Sequence, residues 1–305
     1  MFTKPYTMKN VLIVGATGNL GPHIVKALVK NGHHVSALMR STAMADISKT
    51  QPLNVQGVEI LEGSFEDYDS LRSACRKKDV VISCAGGDQI LNQIHLAKAA
   101  RDAGVAQFIP SEFGIDPYVA EKGSCDLFDA KAAVQEQIKE TGIGFTPIYT
   151  NGFMEFWATG LGELGALSPP DRAKVFGDGN MSAYMTALSD IGQYTAAIVE
   201  DPKTINKEVL VATTSATQNE MISLWEDISG KTVEKEFVSA DQLDEIIDAS
   251  TAPDSMLTRI FTQLHRSVWL KGEANKERNG VLNAVSRYSH IQPLSLKAYL
   301  KNFIS

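Results

Sequence analysis

Three glycines spaced three apart, Gly15, Gly18 and Gly21, separate an apolar run from an amphipathic one. Glycine at such positions lets the backbone turn tightly and approach a pyrophosphate, while the N–H groups that open the next helix face the anion. The apolar run covers residues 11–14, and Leu20, Ile24, Ala27 and Leu28 share one face of the segment that follows. A second apolar run, residues 35–39, ends at Arg40. Strand, turn, helix and strand within about thirty residues make a dinucleotide-binding βαβ unit. At the end of the second strand an NAD site usually carries Asp or Glu for the ribose hydroxyls. Here the residue is Arg40, whose guanidinium fits the 2′-phosphate of NADP. Lys49, nine residues on, is placed to reach the same phosphate from the following loop.

Two lysines compete for proton chemistry. Tyr118 and Lys122 have the Tyr-x-x-x-Lys spacing that serves a carbonyl when a helix puts both on one face. Pro117 before the pair and Gly123 after it favour a loop instead. Lys131 lies early in a helix expected over 127–140, after a strand end that carries Ser111 and Glu112. Burial beside a cofactor lowers a lysine pKa, because desolvation disfavours the ammonium. A lysine tuned that way exchanges a proton with a phenol or enol oxygen. From the residues alone, a surface lysine on an amphipathic helix reads equally well.

The elements that must position these groups alternate regularly. Further strands are expected at 58–61, at 80–83, ending at Phe108 and Ile109, and at 145–149, with helices at 69–75, 89–103 and 127–140 between them. This predicts an α/β fold built on a Rossmann-type doubly wound parallel sheet. Ligands of such sheets bind beyond the C-terminal ends of the strands. That rule selects the first turn, with Thr17, Asn19 and Leu20 beside its glycines, and then Arg40. It also selects Ser83, Cys84, Ala85 and Gly86 with Gln89 after them, then Ser111, Glu112 and Phe113, then Asn151 and Phe153.

Beyond about residue 150 glycine and aromatic residues cluster, and the rhythm changes. The expected division is 1–150 for the nucleotide domain and 151–305 for a smaller, mixed C-terminal substrate domain. Helices are expected there at 189–199, 219–228, 240–249 and 253–269. Residues 189–212 are expected to return to the first sheet, because 209–211 reads as a buried strand. Phe153, Met154, Phe156, Trp157, Tyr184, Met185 and His265 are candidates for lining a substrate, with core packing as the competing reading.

Composition narrows the classes. The 305 residues are 44% hydrophobic and 21% charged, with a formal net charge of −7. An acidic chain without a basic run argues against nucleic acid and anionic membranes as partners. No apolar stretch is long enough to span a bilayer. The opening MFTKPYTMKN has no apolar core for a secretory signal, so a cytoplasmic location is expected. Cys75, Cys84 and Cys125 are odd in number and form no CxxC, and the six histidines show no ligand spacing, so neither disulfides nor metal is expected. A monomer and a homodimer are equally compatible with the sequence.

The order of motifs resembles the plant isoflavone reductase, pinoresinol–lariciresinol reductase and phenylcoumaran benzylic ether reductase family, an NmrA-like branch of atypical short-chain dehydrogenases. The matching segments include VGATGNLGPHIVKAL, LMRST, VVISCAGGDQILNQIHLAKAARDAGVAQFIPSEFGID, FDAKAAV, IGFTPIYTNGF, VFGDGN, DIGQYTAAIVEDPKTINK and VWLKGE. The resemblance implies NADPH binding by residues 15–21, Arg40 and Lys49, and Lys131 as general acid–base. It implies NADPH-dependent reduction of a small aromatic or conjugated, oxygenated metabolite. The chain departs from the family four residues after Lys131, where plant members often carry Arg and this sequence has Gln135. Two rivals stand beside that function: a non-catalytic NADP(H) sensor of NmrA-like type, and a ketone or imine reductase on the same scaffold.

Overall fold

A computed structural model describes residues 8–304. The opening segment that was read for a secretory signal lies largely outside the described residues. Five parallel strands form the main sheet in the order β3-β2-β1-β4-β5. They are β1 (Asn10–Val14), β2 (His34–Met39), β3 (Glu59–Glu62), β4 (Val80–Ser83) and β5 (Gln107–Ile109). Side chains alternate between its faces, as strand geometry requires. Val11, Ile13, Ala37 and Ile82 enter one core, and Leu12, Val14, Leu38 and Val81 enter another. Both faces are covered, which is why these strands read as continuous apolar runs.

The sixth strand is shorter than the sequence suggests. Phe145 forms an isolated parallel bridge with Phe108, and regular pairing resumes only at β6 (Ile148–Tyr149). Pro147 stands between them and has no N–H to donate. After β7 (Gly152–Phe153), β8 (Arg172–Phe176) and β9 (Ser182–Thr186), the chain returns: β10 (Val209–Leu210) pairs in parallel with β6. Following β11 (Thr214–Thr217) and β12 (Glu234–Val238), β13 (Leu282–Asn283) pairs with β10 in turn.

The helix Leu188–Glu200 packs its Leu188, Ile191, Tyr194 and Ile198 into the same core as the first helix, Gly21–Lys30. A Cβ on Gly192 would lie 2.4 Å from the His23 carbonyl oxygen, so the two backbones touch there. The helix and Val209 of β10 thus share a core with the first helix, but β10 pairs in a separate three-stranded sheet, β13-β10-β6, and does not return to the five-stranded sheet as expected.

The rest of the C-terminal part has its own core around Met154, Trp157, Val175, Met185, Trp225 and Trp269. Its helices Gln218–Ser229 and Ala240–Ala249 each begin with a full capping box, Thr217 with Glu220 and Ser239 with Gln242. Two helices expected from the sequence are subdivided. The first opens as a 3-10 turn, Gly87–Asn92, before the helix Gln93–Asp102. The second divides into Pro253–Ser255, Met256–His265 and a π-turn at Arg266–Leu270. The short strands β8, β9, β11 and β12 lie where the sequence was read only as mixed. Among the described residues, no helix is long and apolar enough to cross a membrane.

Gly192→Ala tests the helix crossing. Alanine gains about 1 kcal/mol in helix propensity, but a main-chain carbonyl cannot swing aside, and overpacking costs about 1–3 kcal/mol. The net expectation is a lower melting temperature by circular dichroism; a raised one would place the two helices further apart.

Candidate active site

The turn after β1 closes on itself. The Gly18 N–H donates to the Gly15 carbonyl at 3.1 Å. Gly15 has φ +83°, and a Cβ there would lie 3.0 Å from the Cys84 main chain. A Cβ on Gly21 would lie 2.2 Å from the Gly15 oxygen. The loops after β1 and β4 are therefore held at main-chain contact. Thr17, Gly18 and Asn19 are exposed at the tip, whereas the Leu20 side chain is buried in the core. The first helix has no side-chain cap and no acidic residue in its first turn, so its opening N–H groups have no competing acceptor of that kind. This geometry fits the pyrophosphate of a dinucleotide.

Arg40 is exposed at the end of β2, beside a cleft of about 810 Å³ that Ser41, Thr42, Gly63 and Ser64 also line. Lys49 is not among the cleft residues; its amine pairs with Asp46 at 3.2 Å, where Asp46 caps the helix Ile47–Val55. After β4, Ser83 is fully buried and its hydroxyl accepts from the Ala85 N–H at 3.4 Å. Cys84 is half-buried, Gly86 is exposed, and the half-buried Gln89 accepts from Asn92 at 2.7 Å.

The turn after β5 carries the densest chemistry. Its Ser111 N–H donates to the Gln93 side chain at 2.6 Å, and its Glu112 N–H folds back on Pro110 at 2.8 Å. Phe113 has φ +24° and buries its ring in the first core. The Gly114 carbonyl accepts from both the Thr150 and the Asn151 N–H, each at 3.0 Å. Asn151 has φ +55°, and its side-chain nitrogen has no partner. Two non-glycine residues with positive φ on facing loops are a local strain of about 1–3 kcal/mol each, a pattern typical of functional sites.

Lys131 lies in the helix Asp126–Glu140, and its Nζ donates to the Glu112 main-chain carbonyl. A Cβ on Gly114 would come within 3.4 Å of that nitrogen. Burial holds the Lys131 amine below the usual lysine range, against the opposing pull of Glu112. The Glu112 carboxyl is 2% exposed, and neither oxygen has a hydrogen-bond partner. Burial pushes it up to about 7, although Lys131 pulls the other way. The Gln135 amide faces it without closing a hydrogen bond, and Gln135 Oε1 instead accepts from Tyr149 Oη at 3.2 Å. The rejected pair is indeed not helical: Tyr118 sits in the 3-10 turn Pro117–Val119, with its hydroxyl on Glu136 at 2.6 Å.

The substrate candidates divide. Phe153 and Phe156 pack edge to face at 5.3 Å, with Phe156 40% exposed, and Tyr184 is half-buried. Met154, Trp157 and Met185 are buried in the C-terminal core. His265 belongs with these: it stacks on Phe176 at 4.3 Å, and its Nε2 accepts from the Leu164 N–H at 3.0 Å. Burial lowers its pKa to about 3, so it is a neutral core histidine. Sequence reading missed Gln93 and Tyr149. The signal for Gln93 was a polar residue on the inward face of an apolar helix.

An NmrA-like family model matches residues 7–298. Phenylcoumaran benzylic ether reductase IRL1 of Ginkgo biloba is 34% identical over 306 residues, which cover 96% of this chain and 98% of that protein. Eugenol synthase 2 of Clarkia breweri is 34% identical over 310 residues, covering 96% and 98%. The structure of AtPrR2 with NADP+ and (+)pinoresinol superposes with a TM-score of 0.89 at 32% identity, over 98% of this chain and 99% of that one. The chain belongs to the NmrA-like family. Within it, the chain is an NADPH-dependent oxidoreductase of the isoflavone reductase-like group.

The buried Glu112 carboxyl makes stability depend on pH. Its pKa is raised on folding, so the folded state holds the proton more tightly and stability falls as pH rises from 4.5 to about 7. The fall is on the order of 3 kcal/mol. Glu112→Gln should abolish it, so the variant gains stability on the native chain across that window in urea titrations. Parallel curves for the two proteins would contradict the burial.

Proposed function

We propose that the chain reduces a small aromatic or conjugated, oxygenated metabolite, and that Lys131 moves the proton. The observation that carries this reading is a desolvated lysine amine fixed on a main-chain carbonyl at the C-terminal edge of a nucleotide-binding sheet. Relatives that reduce a phenylcoumaran benzylic ether, and one that is solved with pinoresinol and NADP+, support the substrate class.

When bound, NADPH supplies a hydride to an electrophilic carbon, such as an enone β-carbon, a quinone methide or a benzylic ether carbon. The 15–21 turn holds the pyrophosphate through its main-chain N–H groups. Arg40 pairs with the 2′-phosphate from the exposed end of β2. Lys131 exchanges a proton with the conjugated oxygen, and burial, by lowering its pKa, makes that proton easier to give up. The Phe153–Phe156 pair offers an apolar face to the ring and excludes water.

Lys131→Ala should lower kcat by about 10²–10⁴-fold, with the NADPH Kd largely kept by fluorescence titration. Unchanged turnover would remove Lys131 from the chemistry. Arg40→Ala should raise the NADPH KM by about ten- to a hundredfold, the worth of a charged hydrogen bond, and leave the NADH KM nearly as it was. Equal effects on both would assign the 2′-phosphate to other residues.

A further inference from the structure

Beyond Lys131, the site holds a second titratable group for which the fold provides no partner. Glu112 is 2% exposed, and both its carboxyl oxygens lack a hydrogen bond. Buried carboxyls are ordinarily satisfied, so an unpaired one needs an explanation. Its own main-chain carbonyl holds the Lys131 amine, which fixes the carboxyl and the amine on one short turn. Beside them the Gln135 Nε2 is also buried and unpartnered. A neutral amide stands there, so the nearby positive charge that the carboxyl feels most strongly is Lys131.

We propose that Glu112 is a positioning residue for the reduction: its carboxyl titrates together with the Lys131 amine and keeps that amine protonated until the substrate oxygen takes the proton. This rests on the proton role of Lys131 given above. In that transfer one N–H bond of Lys131 breaks and one O–H bond forms on the substrate. The amine is left neutral, the carboxylate keeps its charge, and solvent returns the proton.

The other groups near the pair are few. Asp116 and Lys139 act on Glu112 with opposite signs. Tyr118 and Tyr149 feel its charge, and Cys125 faces Lys131. Behind Asp116 stand Arg278 and Glu208, which bind it into a separate ion-pair cluster. Burial holds Cys125 as a thiol and both tyrosines as phenols at neutral pH, so none of these competes for the shared proton. The Glu112 carboxyl is buried and Lys131 half-buried, and the Lys131 amine is held on the same residue's main-chain carbonyl, so their charges are screened less by salt than an exposed pair and act on each other.

The test follows the Lys131 side-chain carbon by NMR in ¹³C-lysine-labelled protein saturated with NADP+, with the signal assigned by its loss in Lys131→Arg. In the native chain the resonance should titrate in two steps, the lower one near neutrality as Glu112 ionises. In Glu112→Gln the lower step should vanish, and the Lys131 midpoint should fall by about one pH unit or more, as for loss of a close opposite charge. Glu112→Asp should restore both steps. A single step in the native chain, or an unmoved midpoint in Glu112→Gln, would overturn the coupling. Neither readout needs turnover, so these results stand apart from any failure to find a substrate. With an active substrate, the alkaline limb of kcat should move down with the midpoint while the NADPH KM holds; a limb that stays in place would overturn the functional role.

Discussion

The site depends on one main-chain oxygen. The Gly114 carbonyl accepts from Thr150 and Asn151 together, and so ties the loop after β5 to the loop after β6. That bond pair holds two backbone conformations that would otherwise relax, at Phe113 and at Asn151. It fixes the Glu112 carbonyl on which the Lys131 amine rests. It also joins the nucleotide sheet to the segment that leads into Phe153, and hence to the apolar side of the site. Glycine at 114 leaves room for the Lys131 nitrogen beside the same carbonyl.

Around that clamp the protein treats its charged groups in two ways. Arg278 is fully answered. Its guanidinium binds Asp116 at 2.6 Å and Glu208 at 2.5 Å, and it lies 5.0 Å from the Tyr118 ring and 6.0 Å from that of Tyr149. These contacts link the C-terminal segment to the turn after the β5 loop. Glu112 and Lys131 are left incompletely answered, each shifted toward neutrality by burial. The first arrangement suits a joint. The second suits a group that must change protonation state during a reaction.

Much of this was legible in the sequence, for a physical reason. The 15–21 turn and the strand ends follow from periodicity and from glycines that backbone contact demands. The expected return of residues 189–212 to the first sheet does not hold for β10, which pairs with β6 and β13 in a separate sheet. Val80–Ser83 and Ala240–Ala249 have the bounds that their residues imply. Strands β8, β9, β11 and β12 were not legible, because four or five residues of mixed polarity carry no usable period. Nor could side-chain commitments be read. For His265, substrate lining and core packing read alike from the sequence, and tertiary packing decides for the core, giving its ring to Phe176 and its nitrogen to Leu164. Lys49 was placed by the sequence within reach of the 2′-phosphate, and in the fold its half-exposed amine pairs with the helix-capping Asp46. Gln93 serves a loop eighteen residues away, a relation that only the folded chain reveals.

The most direct test of the account is isotopic. The protein would be given NADPH carrying deuterium at the nicotinamide C4, together with phenolic enones, benzylic ethers and aromatic ketones. Mass spectrometry of the products would locate the label. The account predicts one deuterium on the electrophilic carbon of an aromatic, conjugated member of the panel, and a solvent proton on its oxygen. Firm NADPH binding with no label in any product would contradict it, and would leave the chain a sensor of the nucleotide.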